Sequence, residues 1–140
     1  RTATNEASVC IGAQSSGSSS ANSTIYPGYS GTTYAGAWTA EQISAVDSNG
    51  TGLYVVTRRA SNDLALYKNG SSIASTGSPT GTLATGTTIR VHAYSNASAA
   101  TGWTTRALAF YSIGVGITAQ NITDLYNAVQ ALQTSLGRQV

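Results

Sequence analysis

Charge is what this 140-residue chain has least of: seven Lys or Arg and five Asp or Glu, together 9% of the residues, with a net charge of +2. Beyond the pair Arg58-Arg59 the basic residues are scattered, which excludes a protein that holds nucleic acid by neutralising phosphates. The single cysteine, Cys10, excludes an intrachain disulfide framework, and its neighbours Val9 and Ile11 predict a buried strand thiol. No apolar run approaches the roughly 20 residues of a membrane-spanning helix, so no membrane insertion is expected. The chain opens on Arg1 rather than Met, and a fragment or processed form of a longer chain is expected. Catalytic groups are equally sparse. The one histidine, His92, lies mid-strand between Val91 and Ala93 with no acid beside it, so a Ser-His-Asp arrangement is not expected. Glycoside hydrolysis needs two carboxylates across one bond. The five available, Glu6, Glu41, Asp47, Asp63 and Asp124, stand in no such pattern. A non-enzyme is the reading that remains.

Small polar residues and tyrosines are there in their place. Ser, Thr, Gly, Ala and Asn dominate, apolar residues are well spread, and the low charge argues against disorder by self-repulsion. One domain over 1–140 is expected. Its clearest signal is Leu53–Gly70. Leu53, Val55 and Thr57 alternate with Tyr54, Val56 and Arg58, the period of a strand with one face buried. Leu64–Lys68 repeats the rhythm, and Asn69-Gly70 supplies the two positive φ angles of a tight reversal into Ser71–Ser75. Asp47-Ser48-Asn49-Gly50 is a turn leading into this meander. Ala7–Ala13, Thr87–Ser95 and Thr104–Ile113 also alternate and are predicted strands. Thr24–Trp38 reads as one or two short strands, and Thr39–Ala45 as a strand or a helical turn. Ser15–Ser23, Thr76–Gly86 and Asn96–Gly102 read as loops.

Past Thr118 the period changes. Ile122, Leu125, Val129, Leu132 and Leu136 recur at steps of three and four, one face of a helix over about 118–136. Thr118 is the N-cap, and Gly137 with Arg138 the stop. That stripe either packs on the domain's own sheet or forms an assembly seam with other subunits. Tyr26, Tyr29, Tyr34, Trp38 and Trp103 lie in glycine-rich, loop-like stretches. There they serve as core plugs, as subunit contacts, or as flat platforms that recognise sugars.

The stretch Gly52–Arg58 followed by LYKNG at Leu66–Gly70 resembles the laminin-G-like and concanavalin A-like jelly rolls, in which such a strand turns back through a hairpin. Arg106–Thr118 reads R-x-x-A-F-x-S-I-G-x-G-I-T, and Leu125–Arg138 reads LY-x-A-V-Q-A-x-Q-T-x-L-G-R. This ending is similar to that of such domains in bacteriophage structural proteins and related bacterial surface proteins. The resemblance covers Asp47–Val140. It implies an all-β antiparallel jelly-roll sandwich, complete or completed by a neighbouring chain, with one C-terminal α-helix. It also implies a virion structural module of a fibre, tail or capsid decoration, on the particle surface. Its partners would be copies of itself, other virion proteins and host-surface glycans. The alternatives are an extracellular carbohydrate-binding adhesin and the subunit of an extracellular filament. Many laminin-G-like domains hold Ca²⁺. The candidate ligands here are Asp47, Asn49, Asn62 and Asp63, whose turn-forming chemistry explains them equally well.

Overall fold

The computed structural model describes residues 8–14, 22–40, 42–79, 81, 87–96 and 99–138. The chain is mostly β-sheet with one C-terminal helix. Its strands are β1 (Ile11–Gln14), β2 (Asn22–Tyr29), β3 (Thr32–Thr39), β4 (Ile43–Val46), β5 (Tyr54–Ala60), β6 (Asp63–Lys68), β7 (Ser71–Thr76), β8 (Arg90–Val91), β9 (Tyr94–Asn96) and β10 (Ala99–Thr101). The helix is α1 (Ala119–Ser135).

A seven-stranded sheet runs β10-β9-β1-β2-β3-β4, with β8 also pairing β1, and a three-stranded sheet runs β5-β6-β7. All pairs are antiparallel except β1 with β9. The predicted meander is β5, β6 and β7, and Asn69 and Gly70 both take positive φ, 51° and 80°. Its register pairs Val56 with Leu66 and Arg58 with Leu64, which sets Tyr54, Val56, Leu64 and Leu66 on one face. Leu64 and Leu66 are fully buried there, each stabilising the fold by roughly 1.5–3 kcal/mol. That face meets the large sheet, because Arg58 donates to the Trp38 carbonyl and Tyr54 to Asp47. The opposite face carries Thr57, whose hydroxyl exchanges hydrogen bonds with Ile117 just before α1. The helix covers this second face, with Tyr126 against Gly70 and Ile122 and Val129 buried. Three layers result: large sheet, small sheet, helix. No helix among the described residues is long and apolar enough to cross a membrane.

Two predicted strands are corrected. Thr87–Ser95 is not one strand, because His92 takes φ 63° and turns the chain back on itself. β8 therefore runs antiparallel to β1, and β9 parallel to it. Alternation in sequence cannot announce a single left-handed residue. Thr104–Ile113 forms no strand at all. Smaller differences follow turn chemistry. Thr24–Trp38 belongs to two eight-residue strands turned by Ser30 and Gly31, both at positive φ, and the predicted 96–102 loop contains β10. The helix begins and ends as predicted: Thr118 accepts from the Asn121 N–H, and Gly137 takes φ 64°. The predicted loop over 15–23 falls largely outside the described residues, as do positions 80 and 82–86 of the predicted loop over 76–86.

Candidate functional site

A cavity of about 600 Å³ lies between the large sheet, β5 and the segment that precedes the helix. On the large-sheet side it is walled by Ile25, Pro27, Ala37 and Trp38. Every residue from Gly50 to Thr57 lines it. Alternate side chains of a strand point to opposite faces, so an unbroken run can line a cavity only with its backbone edge. β5 is the outer strand of its sheet, so that edge has no strand beside it among the described residues. The far wall is the segment from Thr105 to Ile117, which we term the strap, and it too lines the cavity almost without a break.

The strap is tied at both ends and loose between them. At its start the Thr104 N–H donates to the His92 carbonyl at 3.0 Å, and Arg106 Nη1 reaches the Gly50 carbonyl at 3.4 Å. At its end the Ile117 N–H donates to Thr57 Oγ1 at 3.0 Å, and that hydroxyl donates back to the Ile117 carbonyl at 3.1 Å. The strap therefore runs in the same direction as the chain from Gly50 to Thr57. Those anchors are seven residues apart on the β5 side and eleven on the strap, about 23 Å against about 36 Å of extended chain. The strap is thus longer than the span it covers, and at Gly116 it lies directly against the Arg58–Arg59 backbone. From Leu108 to Gly116 its backbone makes one hydrogen bond to the described residues, the Ala109 carbonyl accepting from Gln133 Nε2 at 3.4 Å. Apolar side chains of the strap stand in solvent: Tyr111 is 62% exposed, Ile113 59% and Val115 88%.

One end of the slot is polar. Asp47 is buried where the β4–β5 turn crosses the small sheet. Its Oδ1 accepts from Lys68 Nζ at 2.6 Å and from the Asn49 N–H at 3.2 Å. Its Oδ2 accepts from Tyr54 at 2.5 Å and from Thr33 at 2.7 Å. Burial by itself would raise the carboxyl, but the bonds from Lys68, Tyr54 and Thr33 and the ammonium charge outweigh it. The carboxyl is held below the usual carboxylate range. Burial and the Asp47 carboxylate push the Tyr54 phenol up. A group whose pKa falls on folding stabilises above its unfolded pKa and loses that contribution as pH drops. The unfolding free energy should therefore fall as pH drops below about 4, and Asp47→Asn should flatten that acid limb. Chemical denaturation between pH 7 and pH 2.5 measures both.

The structure disperses the residues singled out in sequence. Asp47 and Asn49 come together, but the Lys68 ammonium occupies the place beside them that a cation would take. Asn62 is exposed in the β5–β6 turn, and Asp63 pairs with Arg59 at 2.7 Å. No group of three or more metal-ligating side chains occurs among the described residues. Glu6 and Glu41 lie outside those residues. Asp124 accepts from Gln120, and His92 is an exposed turn residue.

The five aromatics do not form one platform. Tyr26 packs on Tyr94 with ring centroids 6.4 Å apart, and burial together with Tyr94 pushes its phenol up to about 12. Tyr34 sits opposite Tyr26 in the β2–β3 ladder, and Tyr29 ends β2 near the surface. Trp38 stands at the cavity wall, 43% exposed, while Trp103 is 67% exposed just before the strap. Of the helix stripe, Ile122 and Val129 are buried and Leu125 is half-buried against the cavity, but Leu132 and Leu136 face solvent. Lys68, Tyr54 and Arg106 are site residues that sequence reasoning missed. The hairpin register places Tyr54 opposite Lys68 and was the one signal that could have joined them. No family model, curated protein or solved structure matches the chain.

Proposed function

We propose that the chain is a non-enzymatic structural module that assembles with copies of itself: a jelly-roll sandwich on a bacteriophage particle, in a fibre, tail or decoration protein. The carrying observation is the cluster of exposed apolar side chains in the C-terminal third: Tyr111, Ile113 and Val115 on the strap, Leu132 and Leu136 on the helix. Exposed apolar patches mark association surfaces, and the Gln133–Ala109 hydrogen bond brings the helix beside the strap. The resemblance of Arg106–Thr118 and Leu125–Arg138 to the ending of phage structural domains supports the particle setting. Sedimentation velocity from low to high micromolar concentration tests the reading. A reversible or stable oligomer is expected, and a strict monomer throughout overturns it.

Glycan recognition is the second reading, favoured by the exposure of Trp38 and Trp103. An exposed indole is a suitable face for a sugar ring. On a glycan array the chain should then bind at least one sugar, and Trp103→Ala should lose that signal about tenfold. Binding at no sugar removes this reading and leaves assembly untouched.

A further inference from the structure

We infer that the cavity binds a small amphipathic anion, a carboxylate on an apolar chain of the fatty-acid kind, with its head held by Arg106. This binding stands apart from self-assembly and follows from what lines the cavity. Of the described residues that do so, Arg106 alone carries a charge. Each wall contributes apolar side chains: Ile25 and Ala37 from the large sheet, Val55 from β5, Phe110 from the strap and Leu125 from the helix. The volume of about 600 Å³ falls within the roughly 300–1,000 Å³ of pockets that enclose small organic ligands. Such pockets join apolar walls to a few polar groups that fix the ligand's orientation, and here the charged one is a cation. The carboxylate at this end of the molecule, Asp47, does not line the cavity. Its two oxygens already accept from Lys68, Asn49, Tyr54 and Thr33.

The two ends of the cavity differ, which gives the ligand a direction. At the start of the strap Arg106 Nη1 reaches the Gly50 carbonyl at 3.4 Å. A guanidinium presents five N–H donors in a planar fork, so that bond coexists with a bidentate grip on a carboxylate. The far end is closed, because Gly116 lies against the Arg58–Arg59 backbone and Ile117 exchanges hydrogen bonds with Thr57. The apolar chain therefore runs from Arg106 along β5 toward that closed end. Trp38 stands at the wall with φ 54°, a conformation bulky residues rarely adopt, and Arg58 donates to its carbonyl. Backbone strain of this kind gathers at ligand sites, where the surrounding structure holds it in place. Entry is past the strap, whose backbone from Leu108 to Gly116 has one hydrogen bond to the described residues to release.

The test is isothermal titration calorimetry on the full chain with decanoate, kept below its micelle concentration, and with decanol, which has the same chain and no charge. Decanoate should bind at one molecule per chain. Arg106→Gln should weaken decanoate about 30-fold, the loss of a charge-assisted pair, and decanol less than about threefold. Decanol thereby reports that the cavity of the variant is intact. Ala37→Phe fills the cavity from the large sheet and should remove most of the binding of both ligands. Val55→Phe, which fills it from β5, should do the same. Equal losses of decanoate and decanol in Arg106→Gln overturn the inference, as does wild-type binding in the filled variants, which would place the ligand on the exposed apolar surface. Absence of decanoate binding, or several molecules per chain, overturns it as well. Self-assembly is read separately, by sedimentation without ligand, and none of these results decides it.

Discussion

Lys68→Met should lower the unfolding free energy by about 3 kcal/mol, the effect of stranding a carboxylate away from water. Asp47 is buried, and among the described residues Lys68 is the one cation on it, at 2.6 Å. Removing one partner of a buried pair costs about 3–5 kcal/mol. The lower end applies here for two reasons. Asp47 keeps its bonds from Tyr54, Thr33 and Asn49, and the Lys68 side chain is partly exposed, so solvent already screens the pair. Asp47→Asn should cost less, about 1–2 kcal/mol, because the ammonium it leaves can reach water and keeps the Asn49 carbonyl as acceptor. The double variant should then be less destabilised than the sum, with a coupling of at least about 1 kcal/mol. Denaturant titration of the four proteins at pH 7 closes the cycle. A loss under about 1 kcal/mol for Lys68→Met would place the pair among screened surface bridges.

That network explains what could be read in sequence and what could not. The meander was legible because each of its signals is local: alternation fixes which side chains share a face, and Asn69-Gly70 fixes the reversal. The helix was legible for the same reason, from Thr118 as cap through the stripe to Gly137. Asp47 with Lys68 was not, since a contact across 21 residues depends on which sheet face the turn at Asp47 crosses. The strap was misread in an instructive way. Thr104–Ile113 has the alternation of a strand, yet alternation describes side chains, and a strand also needs a neighbour for its backbone. Its own fold ties the two ends of the strap to a shorter span of β5 and gives the backbone between them no ladder among the described residues. The alternation then stands as a strand pattern without a ladder. His92 is the opposite case, in which a ladder was expected and one residue at positive φ divided it.

Gly28→Ala should cost about 3–4 kcal/mol, and comparison with Gly31→Ala separates its two causes. Both glycines take positive φ in the β2–β3 hairpin, 64° and 76°. A Cβ at Gly31 would meet nothing within 4 Å, so Gly31→Ala should carry only the strain of a left-handed alanine, about 1 kcal/mol. At Gly28 a Cβ would lie 2.7 Å from the Gly50 Cα and 2.8 Å from its nitrogen. Backbone cannot rotate away as a side chain can, so an overpacking cost of about 2–3 kcal/mol adds to the strain. The displaced segment matters to the site. The Gly50 carbonyl anchors Arg106 at the start of the strap, and the Gly28 N–H donates to the same Thr33 hydroxyl that donates to Asp47. Gly28→Ala and Lys68→Met should therefore couple by more than about 0.5 kcal/mol, whereas Gly31→Ala and Lys68→Met should add. Equal losses at the two glycines would mean that the hairpin and the 47–52 turn are not in contact in solution, and the polar end of the slot would then lack its wall.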